Sequence, residues 1–467
     1  MKTKKGLATH MLSASSLYSG IRNNPVAIAT GVALATAFVL GGASRQHELR
    51  LAIVELVAIP ALVIAVVSLL ATPDRRPSRT ATILLAALCI LPLVQLLPLP
   101  PGIWTSLPGR EELSLALELT GITPGWTTIS LTPDKTWQAF LALIPPTAVF
   151  LGVLAVRSDG KLRLVQLLLA GIITAVLLGS AQLVSGGEQL YPWQTTDAGS
   201  VVGFFANRNH FATLCLISLP FAAALGAYDL RRNGGKNLWL SILFVGFIIV
   251  TLGVVRSRTG ILLLGPTLAA SLAVAWVASR GRPKPLMWGI LASAALTSAV
   301  VSFFAMGPIL ARFDAGGPRE SRFENWPTVV QAADAYLPVG SGIGSFDAVF
   351  RSVEPLERLD ATFFNQAHNE YLEILLETGW LGVGLLVLFG VWFARRAWSA
   401  WTGGPGTQRD LQRASSIAIA VVLLHSVVDY PLRTETLATI FAMCCAMLEF
   451  ARHADTGRLI VRQRVQR

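Results

Sequence analysis

The sequence predicts an all-α, polytopic membrane protein of about 12 transmembrane helices, with the whole chain, 1–467, as one integral membrane domain. Three observations carry this. The chain is 53% hydrophobic and only 14% charged, against roughly 25% charged in ordinary soluble domains. Much of the apolar content lies in uninterrupted runs of about 20 residues, the length that crosses a bilayer. The basic residues are also unevenly placed. With the N-terminus on the cytoplasmic side, inside segments hold 25 of the 38 Lys and Arg residues. That asymmetry follows the positive-inside rule and puts both termini in the cytoplasm. It also accounts for most of the net charge of +11 without a nucleic-acid partner.

The apolar runs start near Val26, Leu51, Ala81, Trp137, Leu164, Asn209, Leu238, Ile261, Met287, Leu372, Ala414 and Thr436. The first 25 residues are polar and basic and lack a short apolar region with a cleavage site, so no cleaved signal peptide is expected. The first three spans, free of ionisable residues at their apolar centres, read as scaffold. An outer loop follows, rich in Pro, Gly and Trp; SLALEL within it suggests a short interfacial helix, and Trp104 and Trp126 read as interface anchors. Pro145 and Pro146 should kink the fourth span.

A second outer loop runs into GFFANRNHFATL, where Asn207, Arg208, Asn209 and His210 cluster at the outer end of a span. Two readings fit: an anion site built from Arg208 and the helix terminus, or a capped helix with an arginine snorkelling to the interface. The next outer turn, VVRSRTG, is so tight that Arg256 and Arg258 stay at or just below the membrane surface, on the same face as Arg208. They need anionic partners there, either a substrate or lipid headgroups.

The long outer segment, 307–371, separates the ninth and tenth spans. SRFENWPTVVQAADAY within it suggests an amphipathic helix, and GSGIGSF a glycine-rich turn. Such a turn can cradle phosphate through its backbone N–H groups, but it is not a dinucleotide fingerprint without a preceding strand. NQAHNEYLEILLETG has helical spacing. His368, Tyr371, Leu372 and Leu375 would share one face and Asn365, Asn369 and Glu373 an adjacent one, with His368 at the membrane surface. The eleventh span holds LLHSVVDYPLR, in which His425 and Asp429 share a face and Arg433 follows. Asp429 reads as a structural tether for Arg433 or His425, or as a functional group. The basic tail, RLIVRQRVQR, suits a cytoplasmic membrane surface. Cys89, Cys215, Cys444 and Cys445 lie inside apolar runs, which suggests neither a disulfide framework nor a metal site. No cofactor is predicted.

GFFANRNHFA, the SRTG turn, VGSGIGSFDAVF, HNEYLEILLETGWLG and HSVVDYPLR, in this order on this topology, resemble the O-antigen ligase and polymerase superfamily. The best-matched core is 238–393. The resemblance implies a GT-C type fold in the bacterial inner membrane, with 307–371 a periplasmic loop bearing the active site. It further implies transfer of a glycan from an undecaprenyl-pyrophosphate donor to a hydroxyl acceptor, lipid A core for ligases and a growing glycan for Wzy-type polymerases of O-antigen or exopolysaccharide.

In that setting His368 is the candidate catalytic base, because an accessible histidine titrates near neutral pH. Arg208 and Arg258, with Arg256, are the candidates to neutralise the pyrophosphate, since preorganised cations stabilise developing charge best in a water-poor site. Asn209, His210, Asn369, Glu370, Asp429 and Arg433 complete the candidate substrate-binding set. Attack opposite the leaving group inverts the anomeric centre, and without a DxD-like cluster the transfer is expected to be metal-independent. The competing class, a transporter or flippase, predicts inverted repeats and ionisable residues near the midplane. No clear repeat relates the two halves, and the notable polar residues cluster on the outside.

Overall fold

The computed structural model describes residues 24–43, 48–185, 190–193, 200–278, 321–358 and 364–449. The chain is helical almost throughout these residues. α1 (Pro25–Leu40) starts where the Asn24 side chain accepts from the Ala27 N–H and Pro25 fills a first-turn position that has no use for an N–H. α2 (Glu48–Ala71) and α3 (Arg79–Gln95) follow, with Ser78 capping α3.

The loop after α3 closes on itself through a two-strand pair, β1 (Pro98–Leu99) with β2 (Thr127–Thr128), and carries α4 (Pro101–Trp104) and α5 (Glu111–Leu119). α5 contains the SLALEL helix expected from sequence. Trp126 is exposed, as an interface anchor requires, but Trp104 is not an anchor. It is 1% exposed, and its indole N–H donates to the Gly125 carbonyl at 2.8 Å, so it forms the core of its own loop.

The fourth span is divided rather than kinked. α6 (Pro133–Leu141) ends before Pro145, and α7 (Ile144–Ala155) takes both prolines into its first turn, where a missing N–H costs least. α8 (Ser158–Ser185), α9 (Arg208–Arg232), α10 (Leu238–Val255) and α11 (Arg258–Ala278) complete the first part of the bundle. The expected span near Met287 lies outside the described residues. Beyond it come α12 (Ser321–Tyr336), the amphipathic helix expected in the long loop, α13 (Phe346–Val353), α14 (Glu370–Thr402), α15 (Thr407–His425) and α16 (Glu435–Glu449).

Among the described residues seven helical segments are long and apolar enough to cross a membrane: α2, α6 with α7, α8, α9, α10, α11 and α14. α1 and α3 are apolar but shorter, at 16 and 17 residues. α9 is the axis of the bundle. Its most apolar stretch is 83% buried, and it packs on α8, α10, α11 and α15, whereas α2, α7 and α16 pack together beside α1. A smaller apolar cluster at the end predicted to face outward joins α12 and α13 to α14 through Val329, Phe346, Phe350 and Leu376. At the opposite end two buried carboxylates are paired. Asp410 meets Arg231 at 2.5 Å and Arg413 at 2.9 Å, and Glu449 accepts from Arg396, Trp392 and the Ser78 N–H. Buried charges persist only when compensated in this way.

α14 is broken at Gly379, whose φ of 57° and ψ of −151° belong to a region reached essentially by glycine alone. The carbonyl of Pro338 fills the break and accepts from the Trp380 N–H at 3.0 Å; a Cβ on Gly379 would lie 2.1 Å from that oxygen. Gly379→Ala is therefore expected to cost about 1–3 kcal/mol in backbone strain alone, seen as a lower melting temperature of the detergent-solubilised protein. An unchanged melting temperature would show that α14 runs straight.

Candidate functional site

The start of α9, the α10–α11 turn, the start of α14 and the link from α15 to α16 meet at one end of the bundle. What joins them begins with Asn209. Its side chain donates to Asp429 at 2.7 Å and accepts from the Ser257 hydroxyl at 2.8 Å. Ser257 is buried in the middle of the arginine turn, and its oxygen also accepts from the Gly260 N–H, so one hydroxyl caps α11 and docks the turn on α9. Arg256 and Arg258 flank it and are exposed, Arg256 with the left-handed φ of 55° that ends α10. Arg208, half-exposed, is the first residue of α9, directly after its Asn207 cap.

Asp429 is fully buried and gathers the α9 terminus. Besides Asn209 it accepts from the Tyr430 N–H at 2.9 Å and faces His210 Nε2 at 3.5 Å. The tether expected from sequence thus runs to α9 and not to Arg433. His425, one turn before Asp429, holds Thr213 through Nδ1 at 2.6 Å. Thr213 gives its own hydrogen to the Asn209 carbonyl, so His425 Nδ1 is the donor.

The helix carrying His368 is shorter than its spacing predicts. It starts at Glu370, because the Asn369 side chain caps it by accepting from the Tyr371 and Leu372 N–H groups. His368 lies before the cap with a left-handed φ of 50°, and Asn365 is likewise off the helix. The His368 ring stacks on Phe364 (5.1 Å, 27°) and meets the edge of Tyr430 (4.8 Å, 74°). Tyr430 touches His210 in turn, at 5.1 Å. Nδ1 of His368 lies 2.9 Å from the Gln366 carbonyl, an acceptor only. Nδ1 therefore donates to it, which fixes a proton on that nitrogen.

Glu370 and Arg433 turn inward. Both oxygens of the Glu370 carboxylate are occupied, by the Ser426 hydroxyl and the Leu432 N–H, each at 2.6 Å. Glu370 consequently ties α14 to the α15–α16 link and positions the loop bearing Asp429. Arg433 pairs with Glu377 at 2.8 Å and Glu373 at 3.2 Å, two buried carboxylates one turn apart on α14. Glu373 in turn accepts from the Ala367 N–H, next to His368.

The glycine-rich turn is not a phosphate cradle, because its amides are spent within the protein. The N–H groups of Gly340, Ser341 and Gly342 donate to the carbonyls of Tyr336, Leu376 and Glu377. Those of Ile343 and Gly344 donate to the side chains of Gln95 and Glu377. Glycine serves close approach here: a Cβ on Gly340 would lie 2.7 Å from the Glu377 carbonyl. The turn is a clamp on α14.

The structure therefore joins Asn209, His210, Asp429 and His368 through Tyr430, places Arg208, Arg256 and Arg258 around Asn209 and Ser257, and sets Asn369, Glu370 and Arg433 in the supporting framework. Sequence reasoning missed Tyr430, Ser257 and Glu377. Glu373 and Glu377 carried a usable signal, two carboxylates four residues apart in an apolar run. Among the described residues no group of three or more His, Cys, Asp or Glu side chains is arranged to hold a metal ion, and the four cysteines are free.

Residues 242–387 match the O-antigen ligase family. The matched segment, less than half of the chain, includes Arg256, Arg258, His368 and the Glu373–Glu377 pair, while Arg208, Asn209, His210 and Asp429 reach the same site from outside it. No curated protein matches the chain. The family match together with the apolar helices supports a multi-pass membrane enzyme of the O-antigen ligase kind.

Proposed function

We propose that this O-antigen ligase-like chain transfers a glycan from an undecaprenyl-pyrophosphate donor to a hydroxyl acceptor, lipid A core or a related glycan, on the periplasmic face of the bacterial inner membrane. The observation that carries this reading is the placement of His368, whose Nδ1 donates to a carbonyl, at the same end of the bundle as three exposed or half-exposed arginines. His368 takes the proton of the acceptor hydroxyl through Nε2 as its oxygen forms a bond to the anomeric carbon. The bond from that carbon to the pyrophosphate oxygen breaks on the opposite side, and the anomeric centre inverts. Arg258 and Arg208, with Arg256, neutralise the charge that gathers on the leaving pyrophosphate. Asp429, Asn209 and His210 fix the α9 terminus against the arginine turn, while Tyr430 holds the His368 ring.

Arg258→Ala and Arg208→Ala are each expected to weaken donor binding roughly ten- to hundred-fold, the range for a lost hydrogen bond to a charged group. The check is retention of a lipid-pyrophosphate glycan by the purified full chain, and wild-type retention in both variants would remove the arginines from the donor site. Transfer is expected to persist in chelator. Glycan appearing on lipid A core identifies a ligase, whereas lengthening of the lipid-linked glycan itself identifies a polymerase.

A further inference from the structure

At the opposite end of the bundle from His368, α10 and α11 both pack on α9 yet scarcely touch each other. Between them they leave a narrow apolar groove with α9 as its floor and a cavity volume of about 50 Å³. Its floor is made of small residues, Ala223, Gly226 and Ala227, and its walls of Ile242, Leu268 and Leu272. The wall residues are half-buried and therefore reachable from the side of the bundle. Helices in a membrane normally close such a gap by small-residue packing; among the described residues it stays open over roughly the inner half of the three helices.

What lies at its mouth identifies an occupant. Leu230 and Leu238 line the groove at the two ends of the α9–α10 link, and that link carries exposed Arg232 and Lys236, followed by exposed Trp239. Arg231 is drawn away to Asp410, so Arg232 and Lys236 are the cations that face outward. Asp229, in the last turns of α9, is 7% exposed and turned into the link, where it accepts from the Asn233 side chain and the Asn237 N–H at 2.7 and 2.9 Å. Its charge is thus used to shape the link, and the mouth is left positive. An apolar slot below two cations and an interfacial tryptophan complements a phosphate headgroup above an acyl chain.

We propose that this groove binds one anionic phospholipid, its acyl chain between α10 and α11 and its phosphate at Arg232 and Lys236. By the charge asymmetry of the sequence this lipid belongs to the cytoplasmic leaflet, opposite the proposed transfer site. The proposal is independent of glycan transfer and stands or falls by lipid binding.

The test uses the full chain in nanodiscs of phosphatidylcholine containing either phosphatidylglycerol or phosphatidylcholine with a photoactivatable group in the acyl chain. Irradiated protein is digested and the adducts are mapped by mass spectrometry. Adducts of the phosphatidylglycerol probe are expected on α9, α10 and α11 within the groove, in several-fold excess over the phosphatidylcholine probe. Arg232→Gln and Lys236→Gln, both at exposed positions, are each expected to lower that excess roughly five-fold, the equivalent of about 1 kcal/mol per basic residue at an anionic surface. Ala275→Leu, which fills the groove and leaves the charges, is expected to abolish the groove adducts. Equal labelling by the two probes, an excess that survives both charge variants, or a groove that takes up no probe because another part of the chain or a partner fills it, would each overturn the proposal.

Discussion

Replacing His368 with asparagine is expected to lower glycan transfer by roughly 10²–10⁴-fold, the contribution of a positioned general base, while the bundle stays folded. Asparagine is the informative substitution because residue 368 has a φ of 50°, a conformation that asparagine tolerates and alanine does not. The variant keeps the turn before the Asn369 cap but has no nitrogen that accepts a proton at neutral pH. The contacts with Phe364 and Tyr430 would also weaken, so His368→Gln, with a longer amide side chain, serves as the partner control. Initial rates of transfer in membranes, read beside the amount of folded protein, check the expectation. Wild-type rates in both variants would mean that His368 is a packing residue and that the base lies elsewhere.

The largest stability effect is expected at Arg433. Replacing it with methionine leaves Glu373 and Glu377 buried without their shared cation, and removing one partner from a buried charged cluster costs about 3–5 kcal/mol. The loss should spread beyond the pair. Glu377 also accepts from Gly344 in the clamp, and Glu373 from Ala367 beside His368. A fall in melting temperature is expected, together with loss of transfer although Arg433 is assigned no contact with the donor. Adding Glu373→Gln and Glu377→Gln removes the uncompensated charges and should restore most of the melting temperature. If the single variant melts like the wild type, the three side chains do not form a buried cluster.

Local signals and tertiary partners separate what the sequence revealed from what it did not. Apolar runs of bilayer length announced most of the helices, and the polar stretches between them located Arg208, Asn209, Arg258, His368 and Asp429 at shared ends. The resemblance to O-antigen ligases rested on those stretches, and the family match covers much of the same region. Hidden from local reading were contacts between residues far apart in the chain. The amides of the glycine turn looked available for phosphate, yet Ile343 donates to Gln95 and Gly344 to Glu377. Likewise, the spacing put His368 on the helix, but the Asn369 cap starts the helix at Glu370, two residues after it. Asp429 read as a tether for His425 or Arg433, both near in sequence, whereas the Asn209 side chain from which it accepts lies 220 residues away.

Measuring donor binding and single-turnover transfer separately tests the division of labour between His368 and the arginines. The full chain is reconstituted in proteoliposomes with a lipid-pyrophosphate glycan donor, as wild type, His368→Asn and Arg258→Ala. If His368 is the base and Arg258 a donor ligand, His368→Asn retains the donor as the wild type does and fails to transfer it, while Arg258→Ala loses retention. Transfer by His368→Asn at the wild-type rate would contradict the assignment.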